Sequence, residues 1–101
     1  MVSFSNRVVI PAHVLVRHLD GESVLLNLET EKYFGLDAMA TRMWELVTQL
    51  PNVEAAFETL SHEFDVQHEL LRTHLGELLG QLVENGLLTV MPSDVASVPA
   101  I

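Results

Sequence analysis

At Asp37 the hydrophobic period of this chain changes from two residues to 3.6, and that change orders its parts: strands first, helices after. Upstream, His13 to Leu19 is β-branched and apolar. Ser23 to Leu28 alternates, with Val24, Leu26 and Leu28 on one face and Leu25 on the other. Asp20-Gly21 between these runs is a two-residue hairpin signal. The polar connection Glu29-Thr30-Glu31 leads into a third short strand, Lys32 to Leu36. Three strands on short loops make an antiparallel meander. Residues 1–7 read as a loose arm, and Val8-Val9-Ile10, closed by Pro11, as a short edge strand.

Downstream, Asp37 suits the N-cap of a helix beginning near Ala38. Met39, Met43, Leu46, Val47 and Leu50 fall on one side of it, with Trp44 at the flank, and Pro51 stops it. Asn52 caps a second helix over about 53–63, with Val53, Ala56, Phe57 and Leu60 inward. Asp65 is predicted to cap a third helix from about Val66 to Asn85, closed by a left-handed Gly86 and apolar Leu87. Leu88 to Val90 returns to an extended segment. The order predicts an α+β, winged-helix-like domain: an N-terminal three-stranded antiparallel sheet followed by three helices. The length of 101 residues suits one domain, placed at 1–91, with 92–101, rich in small residues, Ser and Pro, as a flexible C-terminal tail.

Charge decides between function classes. Fourteen acidic residues against five basic ones give a net charge of -9. Nucleic-acid affinity comes largely from Lys and Arg neutralising phosphates, so a winged-helix DNA-binding transcriptional regulator is the rival reading that this balance opposes. No apolar run is long enough to span a bilayer, and the first residues lack a signal-peptide pattern. Cysteine is absent, which removes disulfide and thiolate chemistry and fits a cytoplasmic location. His68 and His74 lie about 120° apart on one helix, and His13 and His18 fall on opposite faces of one strand. Neither pair has metal-ligand spacing, and no phosphate loop or nucleophile elbow is present. We therefore expect no catalytic residue, no metal and no cofactor.

The third helix carries more than a core stripe. Leu71, Leu75, Leu78 and Leu82 form that stripe, and Glu69, Thr73, Glu77 and Glu84 the wet face. One border holds His68, Arg72, Gly76, Leu79 and Val83, with Gly80 just beyond. A mid-helix Gly costs about 1 kcal/mol against Ala, so two of them four apart point to a close neighbour. That neighbour is either the chain's own sheet or the occupant of a groove. The third strand, last of the meander, is an edge with unpaired backbone groups. It is either simply protected by Lys32 or used to pair with an extended peptide.

The succession Glu22-Ser23-Val24-Leu25-Leu26-Asn27-Leu28, Glu29-Thr30-Glu31, Lys32-Tyr33-Phe34-Gly35-Leu36-Asp37, then Ala38 to Leu46, resembles the PqqD family of RiPP recognition elements. The closing Leu82-Val83-Glu84-Asn85-Gly86-Leu87-Leu88 is similar too, so the resemblance covers about residues 13–90. The turn Glu29-Thr30-Glu31 departs from it in lacking the Gly often found there. The resemblance implies that a precursor's leader peptide lies antiparallel to the third strand, in a groove between that strand and the third helix. Carried onto this chain, the peptide-binding residues are Leu25, Glu31, Lys32, Tyr33, Phe34, Gly35 and Leu36 from the sheet. His68, Arg72, Leu75, Gly76 and Leu79 would form the helix wall. The run Lys32 to Asp37 looks most like standalone members of lasso-peptide pathways. It implies a non-catalytic protein that captures the precursor and delivers it to a separate leader peptidase. Those are the implied partners, with no nucleic acid and no membrane. An exposed edge can also pair with a second copy, which leaves a homodimer open.

Overall fold

The computed structural model describes residues 2–91, so the segment read as a flexible tail, 92–101, lies outside the described residues. The elements are β1 (Arg7–Val9), β2 (Val14–Leu19), β3 (Glu22–Asn27), β4 (Lys32–Leu36), α1 (Ala38–Gln49), α2 (Val53–Glu63), α3 (His68–Glu84) and β5 (Thr89–Met91). The α+β class is as expected. β2, β3 and β4 form an antiparallel sheet in that order, and β1 pairs with β5 in a separate two-stranded ribbon.

Local chemistry explains most boundaries. Asp20 and Gly21 both have positive φ, 55° and 87°, as a tight hairpin between right-twisted strands requires. The Asp37 side chain accepts from Ala40 N–H, and that of Asn52 from Ala55 N–H, so each helix has one orphan donor satisfied. Gly86 closes α3 at φ 71°, with Gly86 N–H bonded to Val83 O and Leu87 N–H to Leu82 O. That bond pattern is a Schellman cap, with Leu87 buried as its apolar contact.

Three expectations are corrected. Residues 2–6 are not a loose arm: Val2 is buried, Phe4 meets Phe57 edge-on at 5.9 Å, and the carbonyls of Phe4 and Asn6 accept the N–H groups of Glu54 and Val53. The open N-terminus of α2 supplies donors with no partner inside the helix, and the arm satisfies two of them. α3 starts at His68 rather than near Val66, with Gln67 at its N-cap and no side-chain cap. Val66 packs against the core there, leaving Asp65 exposed and out of capping position. The core face of α3 is Leu71, Leu75, Leu79 and Leu82, with Leu78 only half-buried. The helix is thus rotated toward the side where Phe4 and Phe57 pack.

The core joins Leu25 of β3 to Met43, Trp44 and Val47 of α1, Val53, Ala56 and Leu60 of α2, and the buried leucines of α3. One buried polar pair crosses it, Ser23 Oγ to Thr41 Oγ1 at 2.7 Å. Arg42 ties α1 to α2 through Glu63 at 2.6 Å, a bond that holds the Glu63 carboxyl below the usual carboxylate range.

Glu31 has φ 61°, the left-handed conformation that costs a side-chain-bearing residue about 1–2 kcal/mol. The glycine missing from this turn is therefore missing at a position whose geometry asks for it. Glu31→Gly should raise stability by about 0.5 kcal/mol, roughly 3 °C in Tm, once the extra freedom of the unfolded chain is deducted. A thermal melt without peptide that shows no rise would mean the strain is relieved elsewhere.

Candidate functional site

The three-stranded sheet ends on β4, which among the described residues has β3 as its one hydrogen-bonded neighbour. Which of its backbone groups face outward follows from the register. Leu28 N–H donates to His13 O at 2.8 Å, and Leu19 and Glu22 pair across the two-residue turn. Hydrogen-bonded pairs alternate along an antiparallel ladder. Glu22, Val24 and Leu26 therefore bond toward β2. Ser23, Leu25 and Asn27 bond toward their β4 partners Leu36, Phe34 and Lys32. Tyr33 and Gly35 are the β4 residues left with N–H and C=O turned to the edge.

Both are accessible. Tyr33 is 74% exposed, and a Cβ built on Gly35 would meet nothing within 4 Å. The row is bounded at one end by Leu36, whose carbonyl accepts the Thr41 hydroxyl, and at the other by Glu31, whose N–H bonds Asn27 O. Glu31, which the resemblance counts among the peptide-binding residues of the sheet, is thus a turn residue.

Beside the start of β4 lies a cleft of about 450 Å³, lined by Lys32, Tyr33 and Phe34, by Glu29 and Thr30 of the turn, by His13 and Asn27, and by Glu84 to Leu87 at the end of α3. A polar latch sets its width. The Asn27 amide oxygen accepts from Glu29 N–H and Thr30 N–H, and its Nδ2 donates to Asn85 O at 3.0 Å. His13 Nε2 meets Gly86 O at 3.0 Å, with Nδ1 3.6 Å from Glu29. Sequence reasoning missed His13 and Asn27. An Asn two residues before a polar turn is an Asx-turn signal, but the partners at 85 and 86 have no local signature.

The predicted sheet residues Lys32, Tyr33, Phe34, Gly35 and Leu36 stand together on β4. The predicted helix residues do not join them at the cleft. Leu25, Leu75 and Leu79 are wholly buried in the core. His68 packs edge-on against Phe57, and Arg72 stacks on Phe4 and Phe57 at 4.5 and 4.3 Å while bonding Glu54 at 3.1 Å. Gly76 faces Phe4 at 3.9 Å, and Gly80 has nothing within 4 Å. The close neighbour expected of the two glycines is therefore absent among the described residues: the N-terminal arm reaches this border only at Gly76, at ordinary contact distance, and the border is open at Gly80. The helix side of the cleft is instead the last turn of α3 and its cap. Among the described residues no group of three or more His, Cys, Asp or Glu could hold a metal ion, and no helix is long and apolar enough to cross a membrane.

Residues 22–88 match the family model described as Coenzyme PQQ synthesis protein D (PqqD). The chain is similar to a solved structure of TbiB1 in complex with the TbiA(beta) leader peptide, at 34% identity over 78% of this chain and 92% of that one, with a TM-score of 0.70. It is also similar to lasso peptide synthetase B1 complexed with the leader peptide, at 20% identity over 82% and 98% with a TM-score of 0.71, a likeness of fold. No curated protein matches the chain.

Proposed function

The chain belongs to the PqqD family, and from that premise we propose that it is a leader-peptide-binding protein without catalysis of its own. It captures a ribosomally made precursor as an added strand on β4. The observation that carries this reading is the outward backbone of Tyr33 and Gly35, four groups with no partner among the described residues, beside a cleft that can take the guest's side chains. Main-chain bonds supply affinity for any extended segment, and alternate side chains supply selection. A guest antiparallel to β4 enters beside Leu36 and leaves beside Lys32, so its C-terminal part emerges at the cleft.

Captured there, the precursor is delivered to a separate leader peptidase, in maturation of the lasso-peptide type. Tethering raises the local concentration of the cleavage site without any new catalytic group. Residues 1–91 act as the single binding domain. A DNA-binding role fits poorly: two of the five basic residues, Arg42 and Arg72, are already paired with glutamates, and the net charge repels phosphates.

Titration with the leader of its own precursor, and with the TbiA(beta) leader as a reference probe, should give Kd of roughly 1 μM or tighter, about -8 kcal/mol. Tyr33→Glu should weaken binding about tenfold or more with an unchanged circular dichroism spectrum, because the side chain is exposed and its loss costs the fold nothing. Unaltered affinity in that folded variant would take the guest off β4.

A further inference from the structure

The other edge of the sheet, β2, is longer than β4 and takes no part in capture of the guest. Among the described residues its one hydrogen-bonded neighbour is β3, in unbroken register over Val14 to Leu19. Of the usual protections of an edge it carries a single charge, Arg17, with no proline within the strand, no lysine and no bulge. By the alternation derived above, Val16 and His18 turn their N–H and C=O outward.

The sheet face away from the helices is also apolar. Leu15 and Leu19 are half exposed, and Leu15, Leu26 and Tyr33 form one cross-strand row. We propose that β2 is a self-association edge: two copies pair β2 against β2, antiparallel and centred on Val16, giving a six-stranded sheet with both β4 edges free.

The occupant and the register are chosen by charge. A two-fold axis keeps residues of like parity opposite each other. Centring on Arg17 would set two guanidinium groups face to face, where like charges destabilise. Centring on Val16 puts Arg17 opposite Leu15 of the second copy, so that its aliphatic stem lies between leucines and extends the apolar row. β2 holds no acidic residue, so a chain of charge -9 meets its copy along the stretch where repulsion is least. The remaining repulsion is long-range and salt-screened. The two β4 strands would stand about 24 Å apart, five spacings of roughly 4.8 Å. The proposal does not depend on what β4 binds.

Sedimentation velocity of the protein from about 5 to 500 μM tests it. We expect a reversible dimer that tightens several-fold when NaCl rises from about 20 to 300 mM, the sign that screening dictates. His18→Pro removes an outward N–H without touching the ladder to β3, and should stay monomeric with an unchanged thermal melt. Leu15→Lys and Leu15→Glu, exposed and harmless to folding, should move the dimer constant in opposite directions, weaker opposite Arg17 for Lys and tighter for Glu, by about tenfold over two symmetric pairs. Tyr33→Glu should dimerise as the wild type does. A monomer at the highest concentration, a dimer untouched by His18→Pro, or Lys and Glu variants shifting the same way would overturn the proposal.

Discussion

Gly35→Pro should all but abolish leader capture while leaving the protein folded, and Phe34→Pro, one residue earlier, should unfold it. The contrast follows from the phase of the ladder. Gly35 turns its N–H to the open edge, so proline there removes no bond to β3 and is tolerated as edge prolines are. It does remove one of the guest's main-chain bonds and places a ring where the guest backbone must approach. A lost hydrogen bond with its partner left unsatisfied costs about 1–3 kcal/mol, so affinity should fall about 30-fold or more, with stability within about 1 kcal/mol of wild type. Phe34 pairs inward with Leu25 and packs against the core. Proline there breaks the ladder and deletes the ring, for a combined loss of about 4 kcal/mol or more. Melting curves and peptide titrations on both variants give the answer together. If Phe34→Pro folds and Gly35→Pro does not, the outward residues of β4 are the other set and the proposed pairing is out of phase by one.

What could be read in the sequence was what is local. The Asp20-Gly21 hairpin, the caps at Asp37 and Asn52, and the Gly86-Leu87 closure each depend on residues within a few positions of one another, and each is in the structure. Alternation in β3 separated Val24 and Leu26 from Leu25 but could not say which set is buried. Polarity points the wrong way, because the buried set includes Ser23 and Asn27. Those two are tolerated inside since Thr41 bonds one and Asn85, Glu29 and Thr30 satisfy the other. The edge strand of the candidate site was legible for the same reason as the hairpin. The helix side was not. Periodicity ranks the borders of α3 but does not say what covers them. The coverage comes from Val2 and Phe4, about 70 positions away in the chain. The pairing of β1 with β5, Arg7 with Met91, is equally without a local signal.

Asn27 is the residue whose loss should cost most for its size. It is 3% exposed, sits at the end of β3, and satisfies three backbone groups at once: two donors in the turn and the Asn85 carbonyl at the end of α3. Asn27→Ala leaves the Glu29 and Thr30 N–H groups to find water and strands a carbonyl in the cleft wall. At about 1 kcal/mol for each bond lost, the total is about 3 kcal/mol, or some 12–20 °C in Tm. Asn27→Asp separates the two halves of the latch. It keeps an acceptor for the turn, so Lys32 and Tyr33 stay in register, but it replaces the donor to Asn85 O with a carboxylate facing a carbonyl. Its cost should be concentrated at the cap of α3, where a Cβ on Gly86 would already stand 2.9 Å from Asn27 Nδ2 and no slack exists. Backbone amide exchange distinguishes the two variants. In Asn27→Asp, protection should fall at Gly86 and Leu87 and persist across β3 and β4, while in Asn27→Ala it should fall at both. Leader affinity should drop in both variants if the cleft between turn and helix end holds part of the guest. If both keep wild-type affinity despite the loosened cap, the guest makes its contacts along Tyr33 and Gly35 and draws nothing from α3.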